Sequence, residues 1–233
     1  YQWAAVEHRG EAAWPRVCSC SGALDLFLQK KGAFYQNKSH WTKDPMAHIV
    51  PHWNFKGLEG REIPVTVYTD CEELELFLNG KPLGKRQIEK YGHGEWSVEY
   101  IPGTLEVKGY IGGKEVCCDK RVTTGRPAAL KLTQDNDFTA NGSDIALFTC
   151  ECVDENGLTV PDAAEYVRFS VSAPAKIIGT GSDNCDHNNV ANTERKMYMG
   201  KIRIAIKPKQ GQESFTLTAM SDNCGVCEKT VSL

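Results

Sequence analysis

Several groups of residues carry the right chemistry at suggestive spacing. Glu7 and Glu11 stand four apart, and two carboxylates can divide the work of general acid and general base. They flank His8-Arg9-Gly10 in a polar stretch that reads as a loop. A loop fixes no distance between them, so they are expected as solvated loop residues, and His8 as a loop hydrogen-bond donor rather than a proton shuttle. Ten cysteines offer a second chemistry. Cys150-x-Cys152 and Cys224-x-x-Cys227 could supply four thiolates to zinc, but the pairs lie far apart and only one has the C-x-x-C spacing. Two apart on a strand, Cys150 and Cys152 share a face and suit a core as small hydrophobes. Asp183-Asn184-Cys185-Asp186-His187-Asn188-Asn189 is dense in oxygen donors, yet lacks the spacing and distal glutamate of a calcium loop. No metal is therefore expected. His40-Trp41 and His52-Trp53 could form an aromatic sugar platform, or could be core or interface. Trp96 and Tyr100 share a strand face with Val98, which reads as core.

The totals narrow the classes. A chain of 233 residues exceeds the roughly 100 that a single β-sandwich needs. The 41% hydrophobic and 24% charged content is that of a globular protein. A net charge of −3 argues against nucleic acid or an anionic membrane, which require a basic field. No stretch approaches the roughly 18 apolar residues of a membrane span. The sequence opens at Tyr1-Gln2-Trp3 in the middle of a strand-like run, which reads as a cut in a longer protein or a broken reading frame rather than a natural mature N-terminus. A small secreted disulfide scaffold would be shorter and denser in cysteine.

These groups need elements to position them. Residues 1–43 read as a short strand up to Val6, a polar loop, and a helix. Leu24, Phe27, Leu28, Phe34 and Tyr35 partly fit helical spacing, with Ser21 or Asp25 as cap. Such a piece cannot bury a core alone. Over 44–124 the pattern turns to period two: Ile63–Tyr68, Leu74/Leu76/Leu78, Trp96–Tyr100, Thr104–Ile111 and Lys114–Val116. Asn79-Gly80 supplies a hairpin turn. Residues 125–233 repeat the logic, from Ala129–Leu132 through Ile145–Val153, Val167–Val171, Lys201–Ile206 and Phe215–Ala219 to Cys227–Leu233. Asp154-Glu155-Asn156-Gly157 reads as a hairpin turn, and Gly125-Arg126-Pro127 as the linker between the two strand-rich parts.

Gln2-Trp3, Glu7-His8-Arg9-Gly10-Glu11, Trp14-Pro15, Ser21-Gly22-Ala23-Leu24-Asp25 and Lys30 through Trp41 resemble the end of the catalytic barrel of family 2 glycoside hydrolases, in particular bacterial β-galactosidases of the Bacteroides type. Glu72 to Leu83, with Leu-Phe-Leu-Asn-Gly-Lys-Pro-Leu at its heart, resembles the first β-domain after that barrel. Residues 126–233 resemble the last immunoglobulin-like domain. There, Gly179-Thr180-Gly181-Ser182-Asp183 stands at the family's Gly-x-Gly-Asp turn, with Ser182 inserted.

The resemblance implies an all-β fold of two immunoglobulin-like β-sandwich domains in tandem, preceded by a strand-loop-helix remnant of a (β/α)8 barrel. It implies a parent that hydrolyses glycosides with retention, using two glutamates about 5–5.5 Å apart. Both belong to strands upstream of Tyr1, so the expected catalytic residues here are none, and the chain alone is expected to be inactive. Trp3 matches the tryptophan at the end of the last barrel strand, facing the sugar; the alternative is an exposed or repacked aromatic, which is expected for the isolated chain. No cofactor is expected. The expected partners are the N-terminal catalytic barrel, β-linked glycans and a second copy of the chain. The parent's compartment is expected to be the bacterial periplasm or the exterior. A stand-alone carbohydrate-binding or adhesion module is the competing reading.

Overall fold

The computed structural model describes residues 3–182 and 185–233. They form one α-helix and fifteen strands, in two compact units. One comprises Ser21–Thr123 with the leading segment up to Glu7; the other comprises Thr124–Leu233 with His8–Cys20.

In the first unit, β1 (Ala47–Val50), β2 (Glu62–Thr69) and β5 (His93–Glu99) make an antiparallel sheet of order β1-β2-β5. β3 (Glu73–Leu78), β4 (Lys81–Gln87), β6 (Thr104–Ile111) and β7 (Lys114–Val122) make another, ordered β4-β3-β6-β7. Period-two alternation puts every second residue inward. Val65, Val67, Leu74, Leu76, Trp96, Val98, Leu105 and Val107 are all buried in one core with Trp53 and Tyr100. Asn79 and Gly80 both take positive φ (50° and 78°) in the turn from β3 to β4, the left-handed pair that a two-residue hairpin demands. β4 carries Lys81, Pro82, Lys85 and Arg86 and is exposed along nearly its whole length. Charge and proline on an edge strand discourage pairing with another chain.

The second unit repeats the plan. β8 (Ala129–Gln134), β9 (Ala146–Val153), β11 (Lys176–Gly181) and β13 (Lys201–Lys207) form a sheet of order β11-β13-β9-β8. β10 (Tyr166–Val171), β12 (Glu194–Lys196), β14 (Ser214–Ser221) and β15 (Gly225–Ser232) form β12-β10-β14-β15. Phe148, Ile202, Ile204, Ile206, Phe215 and Leu217 fill the core, and Cys150 and Cys152 are fully buried among them.

Two local expectations are corrected. The helix α1 runs over Gly32–Trp41, so Leu24, Phe27 and Leu28 lie outside it. The Asp25 carboxylate accepts the backbone N–H groups of Phe27 and Gln29, each at 2.8 Å. A side chain that caps its own downstream amides competes with helix formation. The turn Asp154–Gly157 exists, with Gly157 at φ 77°, but it closes only the isolated bridge Val153↔Thr159. β9 pairs with β8 and β13, and β10 belongs to the other sheet.

Phe148→Ala is expected to cost about 3–5 kcal/mol, the range for deleting a fully buried aromatic. Val226→Ala, at an exposed site, should stay within about 0.5 kcal/mol. Urea unfolding followed by tryptophan fluorescence checks both.

Candidate functional site

The N-terminal residues of the first unit are held by their own small pairing. Ala23 N–H donates to Ala4 O (3.1 Å), Leu24 N–H to Ala5 O (2.9 Å), and Glu7 N–H to Leu24 O (3.0 Å); Val6 and Leu24 form a parallel bridge. Gly22 allows this approach. A Cβ at position 22 would lie 2.3 Å from Glu7 N and 2.5 Å from Leu24 O, so no other residue fits. Glu7 is buried and paired with the Lys31 ammonium, which compensates a carboxylate that burial would otherwise destabilise. Trp3, one residue ahead of this pairing, is 71% exposed.

Helix α1 follows and is fixed through an aromatic stack. The Tyr35 and His48 rings lie parallel within 7°, centroids 3.2 Å apart. Beneath them, Arg121 on β7 donates to Ile49 O (2.7 Å) and to the Asp119 carboxylate (2.9 Å), and stands 3.1 Å from His48 Nδ1. The other Asp119 oxygen accepts the Ile49 N–H at 2.8 Å. Burial, then the Arg121 charge, pulls His48 down to about 4, against the opposing pull of Asp119. The imidazole is thus neutral near pH 7 and accepts from the guanidinium. Burial likewise raises the Tyr35 phenol. This set locks a helix and an edge strand to β7. With Arg121 already committed to Asp119, Ile49 and His48, it is built to hold rather than to react.

The other candidate residues are dispersed. The Glu7–Glu11 pair is divided between two environments. Glu7 is buried on Lys31, which corrects its reading as a solvated residue, while exposed Glu11 lies 3.1 Å from His8 Nε2. His8 Nδ1 also meets Ser19 Oγ at 3.2 Å. Trp53 is core, its indole N–H donating to Ile101 O at 3.0 Å, whereas Trp41 is exposed at the end of α1. The two His-Trp pairs therefore make no shared platform. Trp96, Val98 and Tyr100 are core, as their spacing indicated. In the oxygen-rich segment, Asp183 and Asn184 lie outside the described residues. Asp186 there is engaged by the buried Arg195 guanidinium at 2.8 Å, which also donates to Thr180 Oγ1 and Asn189 O. Cys152 and Cys224 touch, Sγ to Sγ 3.7 Å. Among the described residues no group of three or more His, Cys, Asp or Glu is arranged to hold a metal. The helix clamp escaped sequence reading because Tyr35, His48 and the Asp119/Arg121 pair lie far apart in the sequence.

Two sandwiches of this plan, the first with a short helix docked on it, define a class of β-rich module that known proteins share. Residues 130–230 match the family model described as glycoside hydrolase family 2 C-terminal domain 5. Residues 60–117 match a domain of unknown function (DUF4982). The chain is 34% identical to Beta-galactosidase BoGH2A of Bacteroides ovatus, over 94% of this chain and 27% of that protein. It is 33% identical to a putative beta-glucuronidase of Formosa agariphila, over 94% of this chain and 22% of that protein. A crystal structure of a beta-glycosidase from Bacteroides vulgatus superposes with a TM-score of 0.92 at 28% identity, covering 98% of this chain and 30% of that one. The chain belongs to the C-terminal region of family 2 glycoside hydrolases. It spans about a quarter of the length of these curated relatives.

The depressed His48 makes the first unit pH-sensitive. Unfolded, this histidine titrates near 6.5; folded, near 4. Between those values the unfolded chain binds the extra proton, so stability falls as pH drops from 6.5 and levels off below about 4. The loss is on the order of 2–3 kcal/mol. Urea unfolding at pH 7 and pH 4.5 should show it in the native chain, and His48→Gln should remove that part of the difference. Arg195→Met is expected to destabilise by about 3–5 kcal/mol, since it strands a largely buried Asp186 carboxylate; thermal unfolding checks this.

Proposed function

We propose that the chain acts as a non-catalytic accessory region of a β-galactosidase-like or β-glucuronidase-like enzyme, buttressing a catalytic barrel supplied by upstream sequence. The observation that carries this reading is the pattern of coverage. Similarity runs through nearly all of this chain but through only about a quarter of the enzymes it resembles. In this reading, residues 1–43 end the barrel, residues 44–124 and 125–233 are immunoglobulin-like domains, and Trp3 faces the sugar. The exposure of Trp3 ahead of a hydrogen-bonded segment supports that role. A residue at the end of a barrel strand is where such sites are assembled. The Tyr35–His48 stack and the Arg121–Asp119 pair then give the first sandwich a rigid hold on the helix that closes the barrel. Family 2 chemistry of the retaining kind needs two carboxyls about 5–5.5 Å apart. Glu7 is committed to Lys31 and Glu11 to His8, which supports a supporting rather than a reacting role.

The purified chain at high concentration is expected to release no chromophore above buffer from nitrophenyl β-galactoside or β-glucuronide. Turnover abolished by Glu7→Gln or Glu11→Gln would overturn the accessory reading. Titration with galacto-oligosaccharides addresses the competing reading of a stand-alone binding module. Saturable binding lost in Trp14→Ala or Trp41→Ala, both exposed tryptophans, would favour that module.

A further inference from the structure

Two thiols meet across the sheet β4-β3-β6-β7 of the first unit. Cys71 precedes β3 and Cys117 lies on β7, with β6 between them. Their sulfurs are 3.4 Å apart. The space they occupy exists because β6 carries a glycine there. A Cβ on Gly109 would lie 2.6 Å from the Cys71 sulfur and 2.7 Å from that of Cys117. Cys117 is paired in register with Gly109, so the missing side chain lets the two sulfurs reach each other over the intervening strand. Cys71 is almost fully buried, while Cys117 is only half-buried and opens a route from solvent.

We propose that Cys71 and Cys117 form a peroxide-sensitive thiol pair that closes to a disulfide across Gly109. The site takes hydrogen peroxide. The Cys71 thiolate attacks one peroxide oxygen: an S–O bond forms, the O–O bond breaks, and the departing hydroxide leaves as water with the thiol proton. The Cys117 sulfur then attacks the sulfenic sulfur. An S–S bond forms, the S–O bond breaks, and the hydroxyl leaves as a second water with the Cys117 proton. The two thiols lose two electrons, and the peroxide gains them. The thiolate is the reactive form, and the contact between the two sulfurs, in which either can donate, lowers the Cys71 thiol and raises the Cys117 thiol. Another contacting pair, Cys152 and Cys224, is a built-in comparison. Its sulfurs are 3.7 Å apart and buried, and burial pushes Cys152 up to about 12. It should stay reduced when Cys71 and Cys117 react.

The closed pair would tie the entry of β3 to β7, the strand whose Asp119 and Arg121 anchor Ile49 and His48. The test treats the 233-residue chain with equimolar hydrogen peroxide, alkylates the remaining thiols with N-ethylmaleimide under denaturing conditions, and maps peptides with and without reduction. The expected result is loss of two of the ten alkylatable thiols. A cross-linked peptide pair carrying Cys71 and Cys117, two hydrogens lighter than the sum, should disappear on reduction. It should form at least about tenfold faster than any Cys152–Cys224 link. Because Cys118 adjoins Cys117, the link must persist in Cys118→Ser and vanish in Cys117→Ser. Gly109→Ala should suppress it as well; Cys117→Ser decides the matter if that variant does not fold. Absence of the link, its survival in Cys117→Ser, or prior closure of Cys152–Cys224 would overturn the proposal.

Discussion

Alternate residues of an antiparallel strand point to opposite faces, and a sheet with one apolar face must cover it. In this protein, that constraint is met twice. Leu74, Leu76, Leu105 and Val107 of one sheet are covered by Val65, Val67, Trp96 and Val98 of the other. Phe148 with Ile202, Ile204 and Ile206 is covered by Phe215, Leu217 and Ala219. Edge strands, turns and the docked helix attach to cores that this alternation already specifies.

Polar groups then fix what the cores leave free. An Arg–Asp pair recurs in both units but does different work. Arg121 and Asp119 bind the backbone of β1 and orient His48 against the helix. Arg195 and Asp186 instead hold the loop that follows β11, with Arg195 reaching Thr180 and Asn189. Both guanidiniums donate to main-chain carbonyls, a use for which the planar, always-charged fork of arginine suits it better than lysine. Such pairs add little to stability relative to an apolar substitute, yet removing one partner leaves a buried charge exposed to its full desolvation cost. Their role is to specify geometry. For a module proposed to hold a catalytic barrel, fixed geometry at the helix is the relevant property.

Cysteine is used in two further ways. Cys150 fills core space as a small apolar group. Cys71 and Cys117 instead meet where β6 has no side chain to separate them. The same residue type is therefore inert or reactive according to its neighbours, which its position in the chain alone does not reveal.

By itself, the sequence determined the all-β class, the Asn79-Gly80 turn, the core placement of Trp96, Val98, Tyr100, Cys150 and Cys152, and the resemblance to family 2 glycoside hydrolases. These rest on local signals: a period of two, a dipeptide that tolerates positive φ, and contiguous motifs. The strand Lys81–Gln87 gave no such signal, being an exposed edge without alternation. Lys176–Gly181 is interrupted by Gly179 and ends on Gly181, so its β-character is weak in the chain alone. The start of the helix depended on a competition between helical spacing and the Asp25 side chain, which only the folded backbone resolves. The burial of Glu7 on Lys31, the Tyr35–His48 stack on Arg121, and the Cys71–Cys117 contact join residues 24, 13, 73 and 46 positions apart. Contacts at such separations are set by strand order and register, so tertiary structure alone decided them.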